Sequence, residues 1–414
     1  MADTEQFKRA GFFTRFRTLP RNVFALSFVA FLNDASSDII YPLLPAFLAL
    51  SLGATPFAIG LIEGFAESVA SILKLFSGYL SDKFDKRKLP VFLGYSLAAI
   101  MRPMLAFVTS WPQVLVVRMA DRIGKGVRGA PRDALLAGSV PPENRGLAFG
   151  FNRAADHLGA VVGPVLAFIL LSYIATDPQS PTTPEYQQVF LYASVPVAIG
   201  LFVIVFFVRE EKPNGDEIDR MPIKFSLSQF DGNYKRLLFV VALFTLSNST
   251  DAFLLLRAEQ SGVTPAMLPL LWMVLHFSKV FFSLLGGDLS DKVGRRSLIV
   301  AGWLIYAAVY IGFAFVDAAW HAWALFVIYG AYFGMTEGVE KAFVADLVPE
   351  EKRGTAYGFY NLFYGITVFP ASLLFGLLWN QFGAPAAFTV SACISVVSAA
   401  LLLLTVRSRP MVSE

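Results

Sequence analysis

Cysteine and charged residues are scarce in this sequence. Of its 414 residues, one is cysteine (Cys393) and 16% are charged, whereas 56% are hydrophobic. A single thiol excludes a disulfide within the chain. A soluble chain of this length would form two or three domains and would carry far more charge on their surfaces. The composition therefore argues against a soluble multidomain protein.

The sequence also lacks the motifs of common catalytic sites. It has no Gly-Lys-Ser/Thr phosphate loop, so we do not expect ATP to drive the protein. It has no Cys and His cluster with metal-ligand spacing and no Ser-His-Asp arrangement. The pair Gly124-x-Gly126 lies inside an apolar segment, so it does not predict a dinucleotide loop. We therefore expect no enzyme activity, cofactor, metal site or nucleic-acid partner.

Long apolar segments account for the composition. About 20 residues of helix cross the roughly 30 Å hydrocarbon core of a membrane. Twelve segments are long enough: 23–50, 58–80, 89–109, 111–137, 146–172, 187–208, 236–259, 264–286, 297–316, 320–347, 354–378 and 384–406. The sequence predicts an all-α membrane protein with twelve transmembrane helices. The basic, aromatic stretch before them has no small-residue cleavage site, so we expect an interfacial arm and not a signal peptide.

Lysine and arginine are confined to one set of the short loops between these segments. That set contains Lys83, Lys86, Arg87, Lys88, Arg145, Lys292, Arg295, Arg296, Lys352 and Arg353. The opposite set (51–57, 110, 173–186, 260–263, 317–319 and 379–383) contains none. Because basic loops remain in the cytoplasm, we expect both termini there and the protein in the inner or plasma membrane.

Two loop sequences occur twice. SGYLSDKFDKRK at 77–88 returns as GGDLSDKVGRRS at 286–297, and VPPENRGLAFGF at 140–151 returns as VPEEKRGTAYGF at 348–359. Both repeats have an offset of 208 to 209 residues. They predict two six-helix halves of parallel topology. The expected segments are an arm (1–22), a first bundle (23–208), a polar linker (209–235), a second bundle (236–406) and a tail (407–414).

These repeated loops resemble the signature Gly-x-x-x-Asp-(Arg/Lys)-x-Gly-Arg-(Arg/Lys) of the major facilitator superfamily. Its positions correspond here to Gly78, Asp82, Lys83 and Arg87, and then to Gly287, Asp291, Lys292, Gly294, Arg295 and Arg296. Arg118 with Gly124 and Gly126 is similar to the Arg-rich motif of the family's fourth span. Gly159-x-x-x-Gly163-Pro164 is similar to a motif common among the family's antiporters.

The resemblance implies two pseudo-symmetric six-helix bundles and transport by alternating access. It also implies that spans 1, 4, 7 and 10 line a central cavity, which places Asp34, Asp38, Asp251 and Glu337 along it. Asp82 and Asp291 could each accept a hydrogen bond from a helix N-terminus or pair with an arginine. Either contact would latch the two halves in one state.

Charged residues within the apolar segments follow helical faces. Arg118, Arg122, Lys125 and Arg132 form a basic stripe on span 4. Asp34, Asp38 and Tyr41 share a face of span 1, and Glu63, Glu67 and Lys74 share a face of span 2. Similar pairs are His276 with Lys279, and Glu337 with Lys341 near Glu340. Charges at membrane depth are costly and face the protein interior or water, so the stripe indicates function.

The basic stripe has three interpretations. In the first, it binds an anionic substrate, since the planar guanidinium of arginine suits carboxylate and phosphate groups. In the second, its charge is neutralised by Asp34, Asp38, Glu63 and Glu67. In the third, Arg128 and Arg132 belong to a cytoplasmic gate with Asp133.

Proton coupling needs a buried carboxylic acid that an approaching cation can deprotonate. The candidates by residue type are Asp34, Asp38, Glu63, Glu67, Glu337 and Glu340, with Asp38 first. The alternative is a permanent ion pair with Arg118 or Arg122. We expect structural ion pairs at Glu340–Lys341 and Asp121–Arg122.

The sequence predicts a secondary transporter of a small acidic or zwitterionic solute, driven by protons and most consistent with export by antiport. Uptake by symport, multidrug efflux and a receptor role remain alternatives. Candidate substrate-binding residues are Asn33, Tyr41, Arg118, Arg122, Lys125, Asn248, Asp251, Asn361 and Tyr364. Candidate gate or conformational residues are Gly78, Asp82, Lys83, Arg87, Arg128, Arg132, Asp133, Gly159, Gly163, Pro164, Gly287, Asp291, Lys292, Arg295 and Arg296. We expect protons and membrane lipids as partners, and a monomer.

Overall fold

A computed structural model describes residues 19–84, 87–141, 144–210, 226–349 and 352–407. Within these ranges the side-chain positions of 75, 78–84, 146, 284–288 and 290–291 are not described. Most of the predicted arm, linker and tail therefore lies outside the described residues. So do the side-chain positions of the loop-motif candidates Gly78, Asp82, Lys83, Gly287 and Asp291.

The described chain is helical almost throughout. The helices are α1 (Arg21–Ile40), α2 (Pro56–Phe84), α3 (Lys88–Met104), α4 (Trp111–Gly138), α5 (Arg145–Ile174), α6 (Thr183–Phe207), α7 (Gly232–Ser247 and Ala252–Gln260), α8 (Leu268–Val293), α9 (Arg295–Ala314), α10 (Ala319–Leu347), α11 (Arg353–Phe382) and α12 (Ala384–Thr405). Each corresponds to one predicted span, which confirms the all-α membrane fold with twelve transmembrane helices.

Charge distinguishes two of the twelve helices. Among the described residues, ten helical segments are apolar and long enough to cross a membrane. The other two are α4 and α10, which are 28 and 29 residues long and carry the buried and exposed charges described below. Their length matches that of the apolar helices, so charge and not length sets them apart.

Two helices are interrupted at membrane depth. In α1 the regular helix ends at Ile40, and the chain continues through Leu44–Ala46 and a wider π-helical turn at Phe47–Ser51. Pro42 and Pro45 lie in this interruption, and neither has an N–H to donate to a helical hydrogen bond. In α7 the break covers residues 248–251. Irregular backbone inside a membrane is tolerated where it lines a cavity, and both breaks do so.

The two halves have the same packing pattern. In the first half α1 packs on α5 and α6, α2 on α4, and α3 on α4 and α6. In the second half α7 packs on α11 and α12, α8 on α10, and α9 on α10 and α12. These are the same five pairings shifted by six helices. The fold is therefore two pseudo-symmetric six-helix bundles, as predicted from the repeated loops.

Individual contacts also repeat between the halves. Arg87 Nη1 donates to the Ala134 carbonyl at 3.3 Å, and Arg295 Nη1 donates to the Ala342 carbonyl at 2.8 Å. A Cβ atom on Gly94 would lie 2.5 Å from the Gly124 carbonyl oxygen, which shows how closely α3 approaches α4. A Cβ atom on the equivalent Gly302 would lie 2.3 Å from Thr336 Cγ2 between α9 and α10.

A pair of reciprocal hydrogen bonds joins the ends of each half. Asn22, at the start of α1, donates to the Arg209 carbonyl at 3.0 Å and accepts from the Arg209 N–H at 2.8 Å. Asn233, at the start of α7, makes the same two bonds with Arg407, both at 2.8 Å. Each asparagine therefore connects the first helix of its bundle with the residues after the last one.

The halves touch mainly through α2 with α11 and α5 with α8. A Cβ atom on Gly376 would lie 2.6 Å from the Pro56 carbonyl oxygen, and one on Gly60 would lie 2.4 Å from the Ser372 carbonyl oxygen. These contacts lie toward the loops that carry no lysine or arginine. On the basic-loop side, Arg153 of α5 and Glu337 of α10 have side chains that are 61% and 67% exposed. The halves are thus in close contact toward the loops that carry no lysine or arginine.

Candidate functional site

A cavity of about 290 Å³ lies between the two halves, next to the breaks in α1 and α7. The first half contributes side chains from α1, α2 and α4, and the second half from α7, α8, α10 and α11. The lining residues are Asp34, Ser37, Asp38, Tyr41, Glu63, Glu67, Arg122, Lys125, Asn248, Ser249, Thr250, Asp251, Trp272, His276, Phe333, Tyr364, Val368 and Ser372. The structure thus brings together most of the acids and two of the cations predicted from the sequence.

Arg118 forms a closed ion pair. Its Nε and Nη2 donate to the two carboxylate oxygens of Glu63 at 2.9 and 2.7 Å, and both side chains are buried. Arg118 does not line the cavity, although Glu63 does. The planar guanidinium group thus donates two hydrogen bonds to the two oxygens of one carboxylate, which is the strong geometry for this kind of pair. The pair joins α2 to α4 within the first half.

Asp121 pairs with an arginine that the sequence did not single out. Arg102 of α3 donates to Asp121 at 3.2 Å, and its other nitrogens donate to the carbonyl and side-chain oxygens of Asn33 at 2.9 and 3.0 Å. The predicted Asp121–Arg122 pair is therefore wrong, because the Asp121 carboxylate is turned toward Arg102 of α3. Arg102 could have been recognised from the sequence as a buried partner, because it is a charged residue inside the predicted span 89–109. Asn33 is buried in this cluster and does not line the cavity.

Arg128 and Arg132 belong to the same half and lie outside the cavity. Arg128 donates to the Gly94 carbonyl and to Asn33 Oδ1, both at 3.2 Å, and stacks over the Tyr95 ring. Arg132 contacts Asp133 at 3.3 Å and Asp156 of α5 at 3.6 Å. Among the described residues, these contacts connect α4 to α1, α3 and α5.

Arg122 and Lys125 are the cations that face the cavity without an acid at ion-pair distance among the described residues. Arg122 is 8% exposed, and its Nε is buried without a hydrogen-bond acceptor. Glu67 of α2 lines the same wall and is likewise outside ion-pair distance of any described cation. Arg118 and Arg132 thus have acids at ion-pair distance, whereas Lys125 and Arg122 interact with Glu67 electrostatically at longer range.

The acids of α1 lie where α5 approaches closely. A Cβ atom on Gly159 would lie 2.5 Å from the Phe31 carbonyl oxygen, and one on Gly163 would lie 2.9 Å from Asp38 Cβ. The glycines of the predicted antiporter motif therefore allow α1 and α5 to pack at backbone distance, and Pro164 follows them inside α5. Asp38 accepts a hydrogen bond at 3.0 Å from Trp272 Nε1 of α8, in the opposite half.

The second half contributes the aromatic side chains Trp272, Phe333 and Tyr364 to the cavity wall, and Tyr41 of the first half meets them. Tyr41 and Trp272 lie 4.9 Å apart between ring centroids, and His276 meets the Trp272 ring edge-on at 5.2 Å. From the sequence, His276 was placed on a helical face with Lys279, and neither residue was assigned to the site. That Trp272 and His276 belong to the cavity wall could have been inferred from spacing, because Trp272, His276 and Lys279, at i, i+4 and i+7, lie on one face of a helix.

Asp251, at the break in α7, has partners in two helices. It accepts from the Tyr329 hydroxyl at 2.7 Å and lies 4.0 Å from Lys279 Nζ. That ammonium group also lies 3.6 Å from the Phe333 ring centroid, where the ring's quadrupole attracts a cation. Asn248 lines the cavity and donates to the Tyr332 hydroxyl at 3.2 Å.

The predicted acids of α10 lie outside the cavity. Glu337 pairs with Lys341 at 3.7 Å, and both side chains are more than half exposed. The predicted Glu340–Lys341 pair is wrong, because Glu340 turns inward and accepts from Trp303 at 2.9 Å and Tyr360 at 2.6 Å. Asn361 is exposed and does not line the cavity. Near the basic loops, Arg295 pairs with Asp346 and Arg296 donates to the Val406 carbonyl at 2.8 Å.

Comparison with solved structures identifies proteins of the same fold. A bacterial homologue of the human lysosomal transporter Spinster, in an inward-facing and occupied conformation, matches with a TM-score of 0.76 at 16% identity, covering 94% of this chain and 96% of that chain. A D-xylose-proton symporter matches with a TM-score of 0.74 at 16% identity, covering 94% and 98%.

Comparison of sequences identifies the family. An uncharacterized MFS-type transporter of Methanocaldococcus jannaschii is 34% identical over 94% of this chain and 95% of its own length. A multi-drug resistance efflux pump of Streptococcus pneumoniae is 22% identical over 88% of this chain and 91% of its own. The pattern described as Major Facilitator Superfamily matches residues 26–367 and 237–414. With its twelve helices in two equivalent bundles around a central cavity, the chain belongs to the major facilitator superfamily of secondary transporters.

Proposed function

We propose that the protein exports a small acidic or zwitterionic organic solute from the cytoplasm in exchange for protons. The observation that supports this proposal is the pair of cations in the cavity wall, Arg122 and Lys125, which have no acid at ion-pair distance among the described residues. A buried cation that lacks a direct ion pair is costly and is retained where it meets water or a ligand. Glu67 on the same wall supplies a negative partner for a substrate ammonium group.

We propose Asp38 as the principal proton-coupling acid. It faces the cavity, has no cation at ion-pair distance among the described residues, and accepts its hydrogen bond from Trp272 in the other half. A change in its protonation therefore alters a contact between the halves. Asp34 and Glu67 are the secondary candidates. We assign Glu63 a structural role, because both of its oxygens are occupied by Arg118.

We favour export because Gly159, Gly163 and Pro164 of α5 resemble a motif common among the family's antiporters. The pneumococcal relative is described as a multi-drug resistance efflux pump, which agrees with this direction. Proton-coupled uptake is the second candidate, since the same cavity and acids would serve it with the opposite coupling.

Proton flux in everted vesicles tests the proposal. A proton gradient is pre-set and carboxylate and amino-acid solutes are added one at a time. Antiport predicts that the transported solute collapses the gradient with the wild-type protein and not with Asp38→Asn. Glu337→Gln, which neutralises an exposed acid outside the cavity, serves as the matched control and should behave as wild type. Gradient loss that is unchanged in Asp38→Asn would remove Asp38 from coupling, and inward solute movement with protons would establish symport.

A further inference from the structure

Three contacts connect α1 of the first half with the second half. Trp272 Nε1 of α8 donates a hydrogen bond to Asp38 Oδ1 at 3.0 Å. The Tyr41 and Trp272 rings lie 4.9 Å apart between centroids. The Tyr41 hydroxyl lies 3.4 Å from Thr250 Oγ1, at the break in α7. These four residues, which we call the interface cluster, therefore join the two halves through side chains.

The interface cluster lies on the side where the halves are in close contact. Trp272 is the fifth residue of α8, which follows a loop without lysine or arginine. Tyr41 and Thr250 are 209 residues apart, which is the offset of the first repeated loop. Equivalent residues of two related halves contact each other near the pseudo-two-fold axis that relates them. The cluster is therefore near the centre of the interface.

The bond between Trp272 and Asp38 differs from the other contacts of the cluster because it depends on charge. An indole N–H can donate a hydrogen bond but cannot accept one. Its bond to an ionised carboxylate is roughly twice as strong as a bond between neutral groups. Protonation of Asp38 therefore weakens this bond. The contacts of Tyr41 with Thr250 and with the Trp272 ring join neutral groups, so protonation of Asp38 leaves them unchanged.

Other charged groups also act on Asp38 and contribute to the pH at which it releases its proton. Those in electrostatic range are Asp34 of α1, Arg122 and Lys125 of α4, and Lys279 of α8. Helix α5 packs against Asp38 through Gly163, which carries no charge. All of these groups are retained in the variants proposed below, so differences between the variants do not arise from them.

An antiporter has to keep its empty form from changing state. If the deprotonated protein without solute could change state, protons would cross the membrane without any export of solute. A ligand shifts a conformational equilibrium through its different affinities for the two states. Asp38 and Trp272 both line the cavity, so a bound solute competes with the bond between them, and a proton weakens the same bond. The empty form retains it at full strength.

We infer that Trp272 is a coupling residue, whose bond to ionised Asp38 holds the halves together while the cavity contains neither a proton nor a solute. This inference rests on the proposed proton antiport and names the contact that prevents proton leak. Trp272 acts through Asp38, and its indole N–H is the group required. Its ring serves the packing against Tyr41.

Proton leak through proteoliposomes tests the inference without a known solute. Purified full-length protein is reconstituted, a pH gradient is imposed with potassium and valinomycin present, and a trapped pH-sensitive dye reports its decay. Trp272→Phe keeps a ring beside Tyr41 but has no N–H. We expect the gradient to decay about tenfold faster than with wild type, as expected for the loss of one hydrogen bond to a charged group. Addition of Asp38→Asn, which carries no titratable proton, should restore the wild-type rate.

Trp303→Phe provides the matched control. Trp303 Nε1 donates to Glu340 Oε1 at 2.9 Å, which is the same kind of bond but lies within the second half. Its loss should leave the decay of the gradient at the wild-type rate. Trp272→Met also lacks the N–H and has the same expectation as Trp272→Phe. It replaces Trp272→Phe if that variant does not fold.

Three outcomes would contradict the inference. Wild-type decay in the folded Trp272 variant would overturn it, and the proposed antiport would stand if solute-driven gradient loss still required Asp38. A leak that persisted in the double variant would also overturn it, because an interface that is merely loosened leaks whether or not Asp38 can be protonated. Solute-driven proton flux that did not require Asp38 would overturn the proposed coupling acid itself, and the inference with it.

Discussion

At the scale of single residues, the basic stripe of α4 is divided between two tasks. Arg118 and Arg132 have acidic partners within the first half, whereas Arg122 and Lys125 face the cavity without one among the described residues. A buried ion pair adds little net stability when formed, but removing one partner leaves a buried charge that costs about 3–5 kcal/mol. We therefore expect Arg118 and Arg132 to matter for folding, and Arg122 and Lys125 to matter for substrate binding.

Glu63→Gln tests this division. The change leaves Arg118 buried with a neutral partner, and we expect the free energy of unfolding to fall by about 3–5 kcal/mol. The measurement is reversible unfolding in detergent micelles. Glu337→Gln, at an exposed pair, should change stability by no more than about 0.5 kcal/mol. Equal effects of the two substitutions would contradict the assignment of Glu63 to structure.

The sequence predicted that these charges lie inside the protein, but not which pairs they form. Helical periodicity determines the face of a residue on its own helix. The partner depends on how neighbouring helices are rotated and how deep each lies, which periodicity does not contain. For this reason Arg102 and Asp121 were not paired in advance, and Glu340 was assigned to the lysine beside it in the chain and not to Trp303 and Tyr360.

At the scale of helices, glycines set the spacing of α3 and α4. A Cβ atom on Gly94 would meet the Gly124 carbonyl oxygen at 2.5 Å and Arg128 Cβ at 2.7 Å. Gly94→Ala should therefore force the helices apart and destabilise the protein by about 1–3 kcal/mol. Gly338→Ala is the control, because a Cβ atom there meets nothing within 4 Å. It should be neutral or slightly stabilising in the same unfolding measurement, and a similar loss at both sites would contradict the packing argument.

Helices α4 and α10 carry opposite charges at equivalent positions. With the repeat offset of 208 residues, Arg132 and Asp133 correspond to Glu340 and Lys341. Two residues related by a pseudo-two-fold axis face each other when they lie near that axis. Asp133 and Lys341 are related in this way, so they would attract when the halves approach each other on the side of the basic loops. Lys74 already lies in electrostatic range of both residues. We therefore extend the predicted gate of Arg132 and Asp133 to include Lys341.

Cross-linking checks this gate without a known substrate. In a Cys393→Ala background, Asp133→Cys combined with Lys341→Cys should form a disulfide when the basic-loop side closes. Disulfides require Cα atoms about 4.4–6.8 Å apart, so the bond reports close approach. Each single cysteine variant should remain monomeric and uncross-linked. Failure of the double variant to cross-link during turnover in a proton gradient would exclude these residues from the closed gate.

At the scale of the whole molecule, the repeated loops were sufficient to predict two equivalent bundles, and the helix pairings confirm them. The break in α7 was not predicted, because residues 248–251 contain neither proline nor glycine. The polar run Ser247, Asn248, Ser249, Thr250 and Asp251 inside an apolar span was the overlooked signal. The side on which the halves are in close contact was also beyond the sequence, since one sequence must support both states of an alternating transporter.

The asparagine contacts at the ends of each bundle have a consequence for the linker. Because Asn22 binds Arg209 and Asn233 binds Arg407, the described ends of each bundle are joined directly to each other. We therefore expect covalent continuity within 211–225 to be dispensable for assembly. Two separately translated polypeptides, cut within 211–225 and co-produced, should associate in the membrane and co-purify. Asn22→Ala in the first fragment should weaken that recovery, because the fragment would lose the bonds that join its two ends.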